Sequence, residues 1–88
     1  MPTISMFYGI IIRMYSEPNG PHNMPHVHAE YQGENAVIGL DGELITGKLP
    51  SKQLKLVQAW IAIHEDELKA NWQLLLEGQK FFRIEPLR

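Results

Sequence analysis

The chain has 88 residues, no cysteine, and a net charge of −2 from eight Lys and Arg against ten Asp and Glu. A chain of this length forms one domain, so we expect a single domain over residues 1–88. The absence of cysteine excludes disulfides, thiolate metal sites and thiol nucleophiles, and it favours a cytoplasmic location. The net charge disfavours nucleic acid as a partner, and no apolar run approaches the ~18 residues of a membrane span.

The first element that the sequence predicts is one long strand over residues 4–15. Residues 10–12 are all isoleucine, and apolar side chains occur at both odd and even positions. Such a strand is typically covered on both faces. Residues 17–25 then contain three prolines and one glycine, a composition that indicates a loop.

Three further strands are predicted over residues 26–31, 35–40 and 43–48. Gly33 marks the turn between the first two, and Asp41-Gly42 predicts a tight two-residue hairpin between the second and the third. Together with the first strand, these segments form an antiparallel meander of about four strands.

Residues 51–77 predict one long amphipathic helix, since their apolar side chains fall within about half of the helical circumference. Ser51 is the expected N-cap and Gly78 the expected stop. The tail KFFRIEPL predicts a short C-terminal strand. The expected fold class is therefore α+β, with the helix packed on the sheet.

Three polar residues, His64, Glu67 and Asn71, lie inside the apolar arc of this helix. Because buried polar groups need partners, one interpretation is a satisfied hydrogen-bond network. A second is a catalytic pair in which Glu67 orients His64 for acid–base chemistry. A third is a polar patch within a homodimer interface.

The strand at 26–31 carries His26, His28 and Glu30 on one face, with neighbours ~6.6–7 Å apart. Two imidazoles and a carboxylate suit a divalent metal such as zinc, manganese or iron, and three ligands suit an open site. His22 in the preceding loop is a candidate fourth ligand. The alternatives are catalytic histidines without a metal, or histidines that brace the loop or an interface.

Strand alternation separates the two groups of histidines. If Val27 and Ala29 pack beneath the helix, His26 and His28 point away from it. The strand histidines could meet the helix set His64, Glu67 and Asn71 only if the histidine face is the covered one, or across a dimer. We expect two separate features.

Lys52 and Lys55 lie near the start of the helix, where free backbone N–H groups favour an anion. The alternative interpretation is exposed, solvated charge. Candidate binding residues are Tyr31, Lys52, Lys55 and Asn71.

The opening MPTIS-x-FYGIIIRMY, the central PHVHAEY, LDGELITGKLP, and the helix pattern W-x-x-x-H-x-x-EL-x-x-NW occur in that order along nearly the whole chain. Together they resemble the bacterial family catalogued as domain of unknown function 4160. The matching positions are Pro25, His26, His28, Ala29 and Tyr31, then Trp60, His64, Glu67, Leu68, Asn71 and Trp72. The loop before His26 is longer than the family's, which leaves the role of His22 open.

What the resemblance implies is a setting, since genes of this family look like half of small two-gene modules of toxin–antitoxin type. The leading hypothesis is an interaction component that binds a small cognate protein, itself, or both. The alternative is a histidine-dependent hydrolase, with or without a metal, that acts on RNA or a phosphate ester. Its candidate catalytic residues are His26, His28, His64 and Glu67.

Overall fold

The computed structural model describes residues 3–15 and 24–88 and shows an α+β fold, as the sequence predicts. Five antiparallel strands form one sheet in chain order, and two helices follow. The strands are β1 (Thr3–Phe7), β2 (Ile10–Arg13), β3 (His26–Tyr31), β4 (Glu34–Gly39) and β5 (Leu44–Gly47). The helices are α1 (Ser51–Ile63) and α2 (Glu65–Leu76).

The predicted single strand over residues 4–15 is wrong, because this segment is a hairpin. β1 pairs with β2 through a two-residue turn, Tyr8-Gly9, whose φ angles are 51° and 79°. Two positive φ angles define the turn whose twist matches that of the flanking strands. The uninterrupted apolar run on both sides hides this turn in the sequence. A second hairpin of the same kind turns at Gln32-Gly33, where the sequence predicts it.

The hairpin at Asp41-Gly42 is present, but its loop has three residues instead of two. The Gly42 N–H donates to the Gly39 carbonyl at 2.9 Å, and the Gly39 N–H donates to the Glu43 carbonyl at 2.8 Å. Gly42 has φ 89°, the left-handed conformation that a three-residue hairpin requires at this position.

The predicted long helix is interrupted at His64, which has φ −109° and ψ 26°. The backbone bonds flank the interruption: the His64 N–H donates to Trp60, and the His64 carbonyl accepts from Leu68. Ser51 is the first helical residue and not the N-cap, which is Pro50. The stop at Gly78 is confirmed, since residues 78 and 79 donate to the carbonyls of Leu75 and Leu74 in a Schellman motif.

The core lies between the helices and one face of the sheet. Alternate strand residues such as Ile10, Ile12 and Ala29 are buried there, together with Trp60 of α1 and Leu68 of α2. The ring of Trp60 lies 5.4 Å from that of Phe7, which ties α1 to the β1–β2 hairpin. Burial of these apolar side chains is the main stabilising term in a small domain.

The residues after α2 form no strand, which corrects the prediction for the tail. The C-terminal segment (residues 79–88) has no regular structure, yet hydrogen bonds to β1, α1 and α2 hold it. The Ile84 N–H donates to the Ile4 carbonyl at 2.8 Å, the Trp60 indole N–H donates to the Glu85 carbonyl at 2.8 Å, and Asn71 binds Phe82. The side chain of Ile84 is buried in the core. The segment therefore closes one side of the domain.

In the described part of the chain, neither helix combines the length and the apolar character needed to cross a membrane.

Candidate functional site

Two groups of polar side chains are candidates for a functional site. The histidine cluster consists of Tyr15, His26, His28 and Trp72. The His26 ring lies 5.1 Å from the ring of Trp72 and 5.0 Å from the ring of His28. Tyr15 stacks on His28 with ring centroids 4.0 Å apart.

His26 is fully buried, although strand alternation predicts that it points away from the helices. That prediction is wrong at this position because both sides of the first residues of β3 are covered. Val27 lies in the core, and Trp72 of α2 packs against His26. A fully buried imidazole is not reached by a substrate unless the covering residues move.

The tautomer of His26 follows from its hydrogen bond to the Met24 carbonyl, which lies 2.6 Å from Nδ1. A carbonyl oxygen accepts only, so Nδ1 carries the proton, and the basic atom of the neutral ring is Nε2. This bond fixes the ring orientation at the start of β3.

Glu30 does not join the two imidazoles. Its carboxylate binds Arg13 with Nη1 and Oε1 2.6 Å apart. Within residues 3–15 and 24–88, no three His, Cys, Asp or Glu side chains are arranged to hold one metal ion. The predicted set of His26, His28 and Glu30 is therefore not assembled as a metal site in this part of the chain. His22, the candidate fourth ligand, lies outside the described residues.

The second group is the pair His64–Glu67, which the sequence predicts from its i, i+3 spacing. His64 Nδ1 lies 2.6 Å from Glu67 Oε1, and the His64 ring lies 5.7 Å from the Trp60 ring. A carboxylate accepts, so Nδ1 donates and Nε2 becomes the basic atom of the neutral ring. Both the satisfied-network and the acid–base interpretations contain this contact.

A cavity of about 320 Å³ lies beside Glu67, between β1, α2 and the C-terminal segment. Its walls include Ser5 and Met6 of β1, Glu67 of α2, and Arg83, Ile84 and Glu85 of the C-terminal segment. Sequence reasoning did not select Ser5 or Arg83. A serine within an otherwise apolar strand is the one signal that points to Ser5.

Ser5 faces the core side of the sheet, since it pairs with the fully buried Ile12. The residue is 1% exposed, and its hydroxyl has no hydrogen-bond partner in the described structure. Buried hydroxyls are normally hydrogen-bonded, so Ser5 is an exception.

The predicted binding residues have different environments. Asn71 is fully buried and binds the backbone of Phe82. Tyr31 packs over the turn of the first hairpin, where a Cβ added at Gly9 would lie 3.3 Å from the ring. Lys52 and Lys55 are exposed near the start of α1. The structure gives Asn71 and Tyr31 a packing role and leaves the lysines on the surface.

The described contacts of the two groups of histidines are with different residues. His26 contacts Trp72 of α2, whereas His64 contacts Trp60 of α1 and Glu67.

The face of the sheet opposite the core carries a third set of residues, which we call the open face. It contains Met6, Ile11, Arg13 and Glu30, which alternate along their strands with core residues. Met6 pairs directly with Ile11 and is 55% exposed, and Tyr8 in the adjacent turn is 59% exposed. The Arg13–Glu30 ion pair lies beside these apolar side chains.

Comparison with known proteins gives one match. The family model described as a domain of unknown function, DUF4160, matches residues 9–73, most of the 88-residue chain. No curated protein and no solved structure matches the chain. The matched residues include both groups of histidines but neither Ser5 nor the C-terminal segment. The chain therefore belongs to the DUF4160 family.

Proposed function

We propose that the protein is an interaction component of a two-gene module of toxin–antitoxin type, in which it binds a small cognate protein through the open face. The observation that supports this is a group of apolar side chains, the exposed Met6 and Tyr8 and the half-buried Ile11, beside the ion pair between Arg13 and Glu30. An apolar centre flanked by charged groups is the usual arrangement of a protein–protein interface. Because the chain contains no cysteine, we place this function in the bacterial cytoplasm.

The chemistry of the open face favours a protein over other partners. Its two charges have opposite sign and neutralise each other, and the net charge of the chain is −2. A nucleic acid or an anionic membrane would require a basic surface. We therefore expect a partner with a complementary apolar patch and with charges that extend the Arg13–Glu30 pair.

The geometry gives less support to the hydrolase hypothesis. His26 is fully buried, and the set His26, His28 and Glu30 is not assembled for a metal in the described part of the chain. Lys52 and Lys55, the lysines at the candidate anion site, are exposed on α1 and make no described contact with a histidine. We therefore propose the interaction function and not the hydrolase function.

The test is co-expression of the tagged protein with the product of its neighbouring gene, followed by co-purification and light scattering. The interface variant is Tyr8→Asn combined with Ile11→Thr. Asn tolerates the positive φ of residue 8, and Thr suits a strand, so the hairpin is retained while apolar surface is removed. We expect the wild type to retain the partner and the variant to lose most of it.

The matched control is Ile63→Gln, since Ile63 is 65% exposed on α1 and lies outside the open face. This control is expected to retain the partner as the wild type does. A wild type that purifies as a monomer without the partner contradicts the proposal, as does equal loss in the control. A homodimer that the double variant dissociates would replace the cognate protein with a second copy of this chain.

A further inference from the structure

The cavity beside Glu67 shares Met6 with the open face but carries a separate inference. We propose that it binds a small zwitterion, a molecule with one carboxylate and one ammonium group, such as a free amino acid. Three features of the cavity support such a ligand, namely the buried hydroxyl of Ser5, the charges of the wall, and the volume.

The Ser5 hydroxyl is the first observation. It lacks a hydrogen-bond partner in the described structure although the residue is 1% exposed and belongs to the cavity wall. A buried hydroxyl that forms no hydrogen bond destabilises the protein, and most buried side-chain polar atoms do form one. The hydroxyl is not exposed to solvent, so a ligand reaches it when the cavity wall moves to admit the ligand, whose oxygen then accepts the hydroxyl proton and removes this cost.

The charges of the wall are the second observation. Arg83 contributes one guanidinium, and Glu67 and Glu85 contribute two carboxylates. Glu67 uses Oε1 to bind His64, and Glu85 uses Oε2 to bind Arg88, so each has a second oxygen for a ligand.

A ligand with a single charge does not suit this wall. An anion would meet the two carboxylates, and a cation would meet the guanidinium, and both contacts are repulsive at short range. A zwitterion places its carboxylate at Arg83 and the Ser5 hydroxyl, and its ammonium at Glu67 or Glu85. Charge-assisted hydrogen bonds of this kind are stronger than neutral ones.

The size of the cavity supports a small ligand. Its volume of about 320 Å³ lies at the lower end of the range for small-molecule sites. Met6 and Ile84 add apolar wall on which a short aliphatic portion can pack. The proposal is therefore limited to compact molecules with few carbon atoms between the two charges.

The experiment is an NMR titration of the ¹⁵N-labelled protein with glycine, β-alanine and γ-aminobutyrate, which vary the distance between the charges. Propionate and propylamine serve as single-charge controls. We expect saturable shifts of the amides of Ser5, Glu67 and Arg83, with a dissociation constant in the millimolar range or tighter. Propionate and propylamine are expected to bind at least roughly tenfold more weakly, the effect of losing one charge-assisted contact.

Two variants test the residues. Ser5→Ala removes the hydroxyl without adding volume, and we expect affinity to fall roughly three- to tenfold, the effect of one hydrogen bond. Arg83→Gln removes the cation and is expected to reduce affinity at least as much. The matched control is Lys80→Gln, since Lys80 is an exposed cation of the same segment and does not line this cavity.

The ¹⁵N spectrum itself shows that each variant is folded before the titration begins. The proposal is overturned if none of the three zwitterions shifts the signals of these amides at ligand concentrations up to about 10 mM, since that result means very weak binding. It is also overturned if propionate or propylamine binds as tightly as the zwitterions, or if Lys80→Gln weakens binding as much as Arg83→Gln. Because Ser5 and Arg83 do not belong to the open face, this result is separate from the test of partner binding.

Discussion

The side-chain amide of Asn71 binds both backbone polar groups of Phe82. Its Nδ2 donates to the Phe82 carbonyl at 2.7 Å, and its Oδ1 accepts from the Phe82 N–H at 3.0 Å. An amide presents a donor and an acceptor side by side, so it pairs with a peptide group as a neighbouring strand would. Asn71 therefore attaches the irregular C-terminal segment to α2.

Replacing Asn71 with alanine is expected to lower the free energy of unfolding by about 2–4 kcal/mol, because both Phe82 groups lose their partner. Urea denaturation measures this change, and hydrogen exchange at the Phe82 amide reports the release of the segment. The control is Gln73→Ala, on the exposed side of the same helix, with an expected change within about 0.5 kcal/mol. Equal effects of the two substitutions would show that the pairing with Phe82 contributes nothing.

The second prediction compares Gly47 with Gly33. Both have a positive φ, but only Gly47 has other atoms close to the position of a Cβ. A Cβ at Gly47 would lie 2.9 Å from Ala36 Cα and would also overlap the Asn35 carbonyl, whereas nothing lies within 4 Å of a Cβ at Gly33. Gly33→Ala is expected to cost about 1–2 kcal/mol from backbone strain alone. Gly47→Ala is expected to cost about 2 kcal/mol more, because the β4–β5 pair must move apart.

Thermal denaturation of the two alanine variants side by side measures this difference, since the backbone strain is similar in both. A Gly47→Ala variant as stable as Gly33→Ala would mean that β5 tolerates displacement at its last residue.

The third prediction concerns the stability of His26 variants, which decides how a loss of function in such variants is interpreted. His26→Ala is expected to lower the free energy of unfolding by about 3 kcal/mol, because it opens a cavity beside Trp72. His26→Phe keeps an aromatic ring at this position and loses the bond to the Met24 carbonyl, with an expected cost of at least about 1 kcal/mol. Denaturation with Trp fluorescence measures both changes.

His28→Ala is the comparison, since His28 is only half-buried and is expected to cost less than His26→Ala. If His26→Phe abolishes a biological readout while its stability matches the expected value, the ring nitrogens have a chemical role. If His26→Ala is as stable as the wild type, His26 is not a packing residue.

Much of the sheet is predictable from the sequence because glycine marks its turns. Gly33 and Gly42 both have positive φ where the sequence predicts hairpins. The first hairpin is not recognised because tyrosine rarely adopts the φ of 51° found at Tyr8, and because the flanking residues are apolar on both sides. The interruption at His64 is also hidden, since the helical spacing of apolar residues continues from α1 into α2.

In the candidate site, contacts between residues close in sequence are predictable, whereas contacts between distant residues are not. The pair His64–Glu67 is predictable because residues three positions apart are neighbours on a helix. The pairing of Glu30 with Arg13 is not, because it depends on the register of β2 against β3. The approach of Ser5 to Arg83 depends on the path of a segment without regular structure, for which the sequence has no periodic signal.

The meander has a consequence for the order in which the protein folds. Within residues 3–15 and 24–88, every strand pairs with its neighbour along the chain, and three of the four connections are turns of two or three residues. Such short-range pairing costs little loop-closure entropy, so these ladders form rapidly. The bond between Ile84 and Ile4 instead joins the two ends of the described chain and depends on a finished sheet and helices. We expect the C-terminal segment to dock last and detach first.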